Sequence, residues 1–470
     1  MPFKKEFVWG TATAAYQIEG APLADGKGAS IWDTFSHRPG RIKDGSDGDV
    51  ACGSYEFLDE DIKLAADLGA DAYRFSTAWT RIIPEGTGSV NRRGIDYYNR
   101  LIDGLLDRNV RPYLTMYHWD LPQALQEKGG FLNPDFPEWF RAYAETLVRE
   151  FGDRVKHFFT FNEPQCIFGL GMDSAVHAPG LSLSKKEQLS AVHHMLLAHG
   201  LAVREVRKIP GAKAGYASCG GVPVPAAEKE ADYRAAYEKF FELDENCPLG
   251  SVSLYADPIF FGRYPEEYYR RYQEIMPKIG ERDMEIISSP VDFFAQNTYD
   301  GYYVGECGGK AKILPYAVGA PTTPMGWHIV PESLYYATKF LYERYKKPVY
   351  ISENGISLQD FIFDDGKVHD PTRTEFIKRY IRQLERSAEE GTEIDGYFYW
   401  SLLDNFEWSE GYTQRFGLVY TDCKTLRRVP KDSYYEFREL IKNIKGLVRK
   451  SKSMFEKRSV SSIAQSFFVH

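Results

Sequence analysis

Eight short runs rich in β-branched and aromatic residues recur along the chain, and helix-patterned segments fill the intervals between them. The runs cover 7–12, 72–79, 111–119, 157–162, 212–218, 292–299, 348–353 and 396–402, and each ends near a polar residue, as strands do. Between them apolar residues return at helical spacing. Leu58, Ile62, Ala65 and Leu68 precede the stop signal Gly69, and Ile95, Tyr98, Ile102 and Leu105 repeat the pattern. A third stripe follows Pro137, from Trp139 through Phe140, Tyr143, Ala144, Leu147 and Val148 to Phe151, and 375–390 reads as a polar-faced helix. Regular alternation of strand and helix asks for parallel strands joined by crossover helices. Two architectures meet that demand, an open doubly wound sheet and a closed barrel. The open sheet would carry G-x-G-x-x-G after its first strand, and Gly10, Gly20, Gly26 and Gly28 are spaced wrongly for it. The expected fold is therefore α/β, a (β/α)8 TIM barrel.

Length alone would divide 470 residues into about three domains. No low-complexity linker marks such a division, and barrels with loop insertions exceed roughly 400 residues. One catalytic domain over 1–447 is expected, with long insertions at about 219–290 and 300–347. Residues 448–470 are rich in Ser and Lys/Arg and read as a tail outside the barrel, disordered or foreign to the domain. The formal net charge of -8 disfavours nucleic acid and anionic membrane surfaces, which ask for a basic face. No run approaches the roughly 18 apolar residues of a membrane span, and 1–10 lacks a signal-peptide core. Six cysteines without a C-x-x-C pair read as reduced thiols of a cytoplasmic protein. No metal ligand spacing is evident, and neither metal nor cofactor is expected. The expected partner is a small molecule, and the oligomeric state stays open.

Two carboxylates stand out by position. Thr160-Phe161-Asn162-Glu163-Pro164 puts Glu163 at the end of the fourth strand, and Tyr350-Ile351-Ser352-Glu353-Asn354-Gly355 puts Glu353 at the end of the seventh. Strand ends on opposite sides of a barrel mouth face one another. Hydrolysis of an acetal needs two carboxyl groups there, one to protonate the leaving oxygen and one to meet the anomeric carbon. A lone strand-end Glu is ordinarily a solvated residue; the pair, each beside an Asn, points to chemistry.

With these motifs in view, the chain resembles glycoside hydrolase family 1, the β-glucosidase family. The resemblance runs from Phe7 to about Lys445. It is carried by Phe7-Val8-Trp9-Gly10-Thr11-Ala12-Thr13-Ala14-Ala15-Tyr16-Gln17-Ile18-Glu19-Gly20, Tyr73-Arg74-Phe75-Ser76, His118-Trp119-Asp120-Leu121-Pro122, Asn162-Glu163-Pro164 and Ile351-Ser352-Glu353-Asn354-Gly355. It implies a retaining β-glucosidase with Glu163 as acid/base and Glu353 as nucleophile. Arg74, Tyr299 and Asn297 would support the carboxylates, Arg74 by holding Glu353 anionic. Gln17, His118, Asn162, Trp400, Glu407 and Trp408 would bind the sugar, with Trp400 beneath the ring. Trp327 would face the aglycone, and Trp119 and Phe416 would neighbour the glycone.

Glu407 bears on substrate class. It would accept from two sugar hydroxyls and repel a 6-phosphate, where the phospho-glycosidase branch carries a Ser and Lys pair. Glu163 stands where the thioglucosidase branch has Gln, which favours an O-glycoside. Gln165-Cys166 departs from the bulkier residues often seen after Asn-Glu-Pro. The alternatives are a β-galactosidase or β-fucosidase and, in another class, a sugar-binding barrel without catalysis. A phosphate-binding barrel isomerase would need a Gly-rich loop after strands seven and eight, which Asn354-Gly355 and Gly411 do not supply.

Overall fold

Eight parallel strands close into a barrel in the computed structural model, which describes residues 3–446. They are β1 (Val8–Ala12), β2 (Ala72–Ser76), β3 (Arg111–Tyr117), β4 (His157–Asn162), β5 (Lys213–Ser218), β6 (Phe294–Asn297), β7 (Val349–Asn354) and β8 (Ile394–Trp400). They follow one another around the barrel in chain order, and β8 pairs back onto β1. The expected tail at 448–470 lies outside the described residues.

The helical stripes read from sequence become the faces that cover the barrel. Helix Arg92–Leu106 buries Ile95, Tyr98, Ile102 and Leu105, and helix Phe136–Phe151 buries Phe140, Tyr143, Ala144 and Leu147. Helix Pro371–Glu389 turns Phe376, Tyr380 and Leu384 inward. Among the described residues, no helix is long and apolar enough to cross a membrane.

Aromatic rings fill the barrel interior. Tyr113, Phe159, Phe293, Tyr350 and Phe398 form a buried plug, with ring centroids 5.0–5.2 Å apart for Phe293–Tyr350, Phe159–Phe293 and Tyr113–Phe398. Each ring removes roughly 150–250 Å² from water, and close packing then leaves no room for further side chains. The strands make that room with glycine. A Cβ on Gly10 would lie 2.4 Å from the Phe398 ring, and one on Gly215 2.4 Å from Phe293.

Three features depart from the sequence reading. The runs at 72–79 and 111–119 stop as strands at Ser76 and Tyr117, because the chain leaves the ladder at the mouth; Trp79–Ile82 is already a helical turn. The ladder registers shift between Ile351 and Glu353 and between Phe159 and Asn162, so the irregularities fall at the ends that carry both carboxylates. The two insertions are also one structure. Val222–Pro225 pairs in parallel with Gly301–Cys307, which pairs with Lys310–Ile313.

Candidate active site

The strand ends converge on one cavity of about 480 Å³ at the mouth where the chain leaves the barrel strands, the position in which barrel enzymes hold their chemistry. Glu163 is the first residue after β4 and adopts a left-handed backbone (φ 50°) before the short helix Pro164–Phe168. Glu353 lies in β7, in register with Asn297 of β6. Both carboxyls line the cavity, and both are buried.

A chain of hydrogen bonds links them. Arg74, fully buried at the centre of β2, donates from Nη1 to Glu353 Oε1 (2.6 Å) and from Nη2 to Asn162 Oδ1 (2.7 Å). Its guanidinium lies 4.9 Å above the Phe159 ring, so the plug supports the site from below. Tyr299 donates its hydroxyl to Glu353 Oε2 (2.7 Å). Asn297 donates to Glu163 Oε1 (2.7 Å) and accepts from Ser352 Oγ (2.6 Å). Its amide also reaches Asn162 Oδ1 at 3.1 Å.

The two carboxyls therefore hold their protons differently. Burial, reinforced by the charge of Glu353, pushes Glu163 up to about 7; the bond from Asn297 offsets this only in part. Burial also raises Glu353, but Arg74 and Tyr299 both favour its ionised form. Arg74 thus offsets the desolvation of Glu353 without overcoming it, a weaker effect than the sequence reading assigned. The carboxyl with the cation and the phenol beside it ionises first. Glu407 is pushed up to about 8, by burial first and by the charges of Glu353 and Glu163 next.

Around the carboxyls stand groups the protein leaves unpaired. Gln17 Nε2 bonds Phe406 O (2.9 Å) and Glu407 Oε2 (3.2 Å), while its Oε1 is buried without a partner. His118 Nε2 pairs with Asn162 Nδ2 at 3.1 Å, and its Nδ1 has no partner. Burial, with Arg74 nearby, holds His118 well below its usual range, so it is neutral. Accepting from the amide at Nε2 leaves the proton on Nδ1, free to be donated. Trp400 and Trp408 lie nearly parallel to His118 at 5.8 and 5.9 Å, and Trp119 packs on Trp408 at 4.5 Å. Trp327 sits 5.2 Å from Tyr299 and 6.0 Å from Phe416.

Every site residue expected from sequence reaches this region. Arg74 and Gln17 reach it through their bonds to Glu353 and Glu407, and the others line the cavity. Sequence reading missed Asp300, His177, Cys219 and Glu410, which also line it. Asp300 follows Tyr299 and Glu410 lies two residues after Trp408, so both were within reach of the same reasoning; His177, in a loop before Ala178-Pro179, carries no signal. Gln165, the departure noted above, is buried and donates to Ser218 Oγ (2.7 Å), tying the end of β4 to that of β5.

Cleaving an acetal asks for two carboxyls that differ in proton affinity, facing one space sized for a sugar and walled by flat rings and free polar atoms. A closed barrel with such a mouth defines a class, the glycoside hydrolases. Sequence comparison narrows it. The model of glycosyl hydrolase family 1 matches residues 1–446, and the chain belongs to that family. It is 46% identical to the 1,4-beta-D-glucan glucohydrolase of Thermotoga neapolitana and to the beta-glucosidase A of Thermotoga maritima, over 94% of this chain and 98% of each relative. The solved family 1 β-glucosidase from Thermotoga maritima superposes with a TM-score of 0.86 at 44% identity, covering 94% of this chain and 98% of its own.

Proposed function

We propose that the chain is a retaining β-glucosidase that removes terminal non-reducing β-D-glucosyl residues from cellobiose, short cello-oligosaccharides and aryl β-glucosides. The observation that carries the reading is the unlike pair at the mouth: Glu163, raised to about 7, and Glu353, bonded by Arg74 and Tyr299. Glu163 protonates the glycosidic oxygen as Glu353 attacks the anomeric carbon and forms a glycosyl-enzyme. Glu163, now ionised, takes a proton from water, which displaces Glu353 and regenerates both groups. Asn162 grips the 2-hydroxyl, Trp400 lies under the ring, and Gln17, His118, Glu407 and Trp408 receive the remaining hydroxyls. Trp327 borders the aglycone, with Trp119 and Phe416 beside the glycone. The names of the relatives support glucoside chemistry, and so does a neighbouring solved β-glucosidase, from Thermotoga maritima, in complex with glucoimidazole. The reading includes a single catalytic domain over 1–447, a cytoplasmic location and a role in cellulose and polysaccharide degradation.

A second reading, breadth toward galactosides and fucosides, is favoured by one observation: the Thermotoga maritima β-glucosidase is also known in complex with a galacto-hydroximolactam. A panel of nitrophenyl β-D-glucoside, galactoside and fucoside with cellobiose tests both readings. The glucoside is expected to give the highest kcat/KM, and the first-formed sugar, followed by NMR, to be the β-anomer. An α-anomer as first product would refute retention.

A further inference from the structure

Two thiols stand beside the catalytic carboxyl pair, and the mechanism uses neither. Cys166 lies three residues after Glu163 in the short helix, and Cys219 is the first residue after β5, the strand next to β4. Their sulfurs are 3.7 Å apart, and both residues line the cavity. The ligand atoms of Glu163, Cys166 and Cys219 all lie within 4.8 Å of one another. Gln165 fixes this arrangement through Ser218 and through the backbone N–H of Cys219, which donates to its Oε1 at 3.4 Å.

The spacing has a chemical meaning. A disulfide needs sulfurs about 2.05 Å apart. Two thiolates at about 2.3 Å from a tetrahedral zinc ion lie about 3.8 Å apart, close to the separation here. Soft sulfur selects ions of the zinc type over magnesium or calcium.

We propose that Cys166, Cys219 and Glu163 form a coordination site for a thiophilic divalent cation of the zinc–cadmium class, entered from the sugar cavity. Binding forms two metal–sulfur bonds and one metal–oxygen bond. The two thiol protons, and the Glu163 proton where present, pass to solvent, and water completes the shell. A bound ion occupies the oxygen that otherwise carries the proton for the leaving group, so the loaded protein does not hydrolyse glycosides. That last consequence rests on the acid/base reading of Glu163; the binding itself does not.

Exposed Cys247, Cys307 and Cys423 are first replaced by Ser in the full chain. Cd²⁺ is then titrated in, with the ultraviolet thiolate-to-metal band and equilibrium dialysis as readouts. One ion per chain is expected. The band is expected to weaken in Cys166→Ser and in Cys219→Ser and to vanish in the double variant, with the folding of each checked by circular dichroism. Glu163→Gln is expected to keep the band at saturation but to need at least about tenfold more Cd²⁺. Zn²⁺ inhibition, scaled to each variant's own metal-free rate, is expected to weaken at least about tenfold in Cys219→Ala. An undiminished band in the folded Cys166→Ser/Cys219→Ser double variant overturns the proposal. So does one-ion binding that disappears in Asp49→Asn, which disrupts the only other such cluster among the described residues, His37, Asp47 and Asp49. A sulfur-bound ion that leaves hydrolysis intact overturns the inclusion of Glu163.

Discussion

Glu163 and Glu353 are the same residue type made unlike by their neighbours. Glu353→Ala removes the attacking group while leaving Arg74 and Tyr299 in place, and is expected to lower kcat at least about 10³-fold with the fold retained. Azide should restore turnover and yield the α-glucosyl azide; unimpaired hydrolysis by the variant would refute the assignment. For the free enzyme, kcat/KM is expected to fall as pH rises through about 7, where Glu163 loses its proton. The same carboxyl carries a stability cost. Its folded value lies above the unfolded 4.5, so the folded state holds the proton more tightly, and stability is lost as pH rises from about 4.5 through 7. The cost is on the order of 3 kcal/mol. Glu163→Gln should therefore be inactive on cellobiose yet melt above the parent at pH 8, with no such gain at pH 4; an equal melting shift at both pH values would refute the linkage. Both positions were legible in sequence from their motifs. Their order of ionisation followed from the family resemblance; what sequence did not show is that burial raises both carboxyls, because that depends on how Arg74, Tyr299 and Asn297 close around them from other strands.

The strands and helices themselves were legible for a simple reason: each buries one face, and the burial pattern is written in residue spacing. The boundaries were less so. The runs ending at Trp79 and Trp119 keep their strand-like composition past Ser76 and Tyr117, because aromatic residues that favour strands serve other ends there: Trp79 stacks on Tyr143 of the covering helix, and Trp119 walls the cavity. Pairing between the two insertions was illegible, since Val222–Pro225 and Gly301–Cys307 meet across nearly eighty residues. So was the proximity of Cys166 to Cys219, which only the adjacency of β4 and β5 creates. The interior makes a sharper test of the elements. A methyl on Gly10 would meet Phe398 at 2.4 Å and the carbonyl of Ala72 at 2.9 Å. Gly10→Ala is expected to cost about 1–3 kcal/mol by overpacking. Phe398→Leu alone should also destabilise, by opening a cavity. If ring and glycine are matched, the double variant will be more stable than the sum of the singles predicts, with a coupling of at least about 0.5 kcal/mol in a denaturation cycle. Additive losses would mean that the carbonyl of Ala72, not the ring, demands the glycine.

Across the whole molecule, the net charge of -8 is not spread evenly with respect to the cavity. Glu163, Asp300, Glu353, Glu407 and Glu410 line it, and no Lys or Arg does among the described residues. The sequence reading gave rejection of a 6-phosphate to the charge of Glu407. With Glu407 pushed up to about 8, that carboxyl is largely protonated at neutral pH in the empty cavity, and the rejection needs a broader cause. A phosphate dianion would enter a space with several acids and no lining cation. Each ionised acid about 5 Å away would cost roughly 3 kcal/mol per unit of phosphate charge, or about 7 kcal/mol for the dianion, at an effective dielectric near 20. A single such encounter already predicts kcat/KM at least about 100-fold lower for a 6-phosphoglucoside than for the glucoside. Size could mimic the effect, and a 6-O-methyl glucoside separates the two, since it adds bulk without charge. The methyl ether should fall well short of the phosphate's loss, and raised salt should recover little, because buried groups are poorly screened. Equal rates on glucoside and 6-phosphoglucoside would mean that C6 does not face this acidic wall, and the orientation of the glycone over Trp400 would have to be reversed.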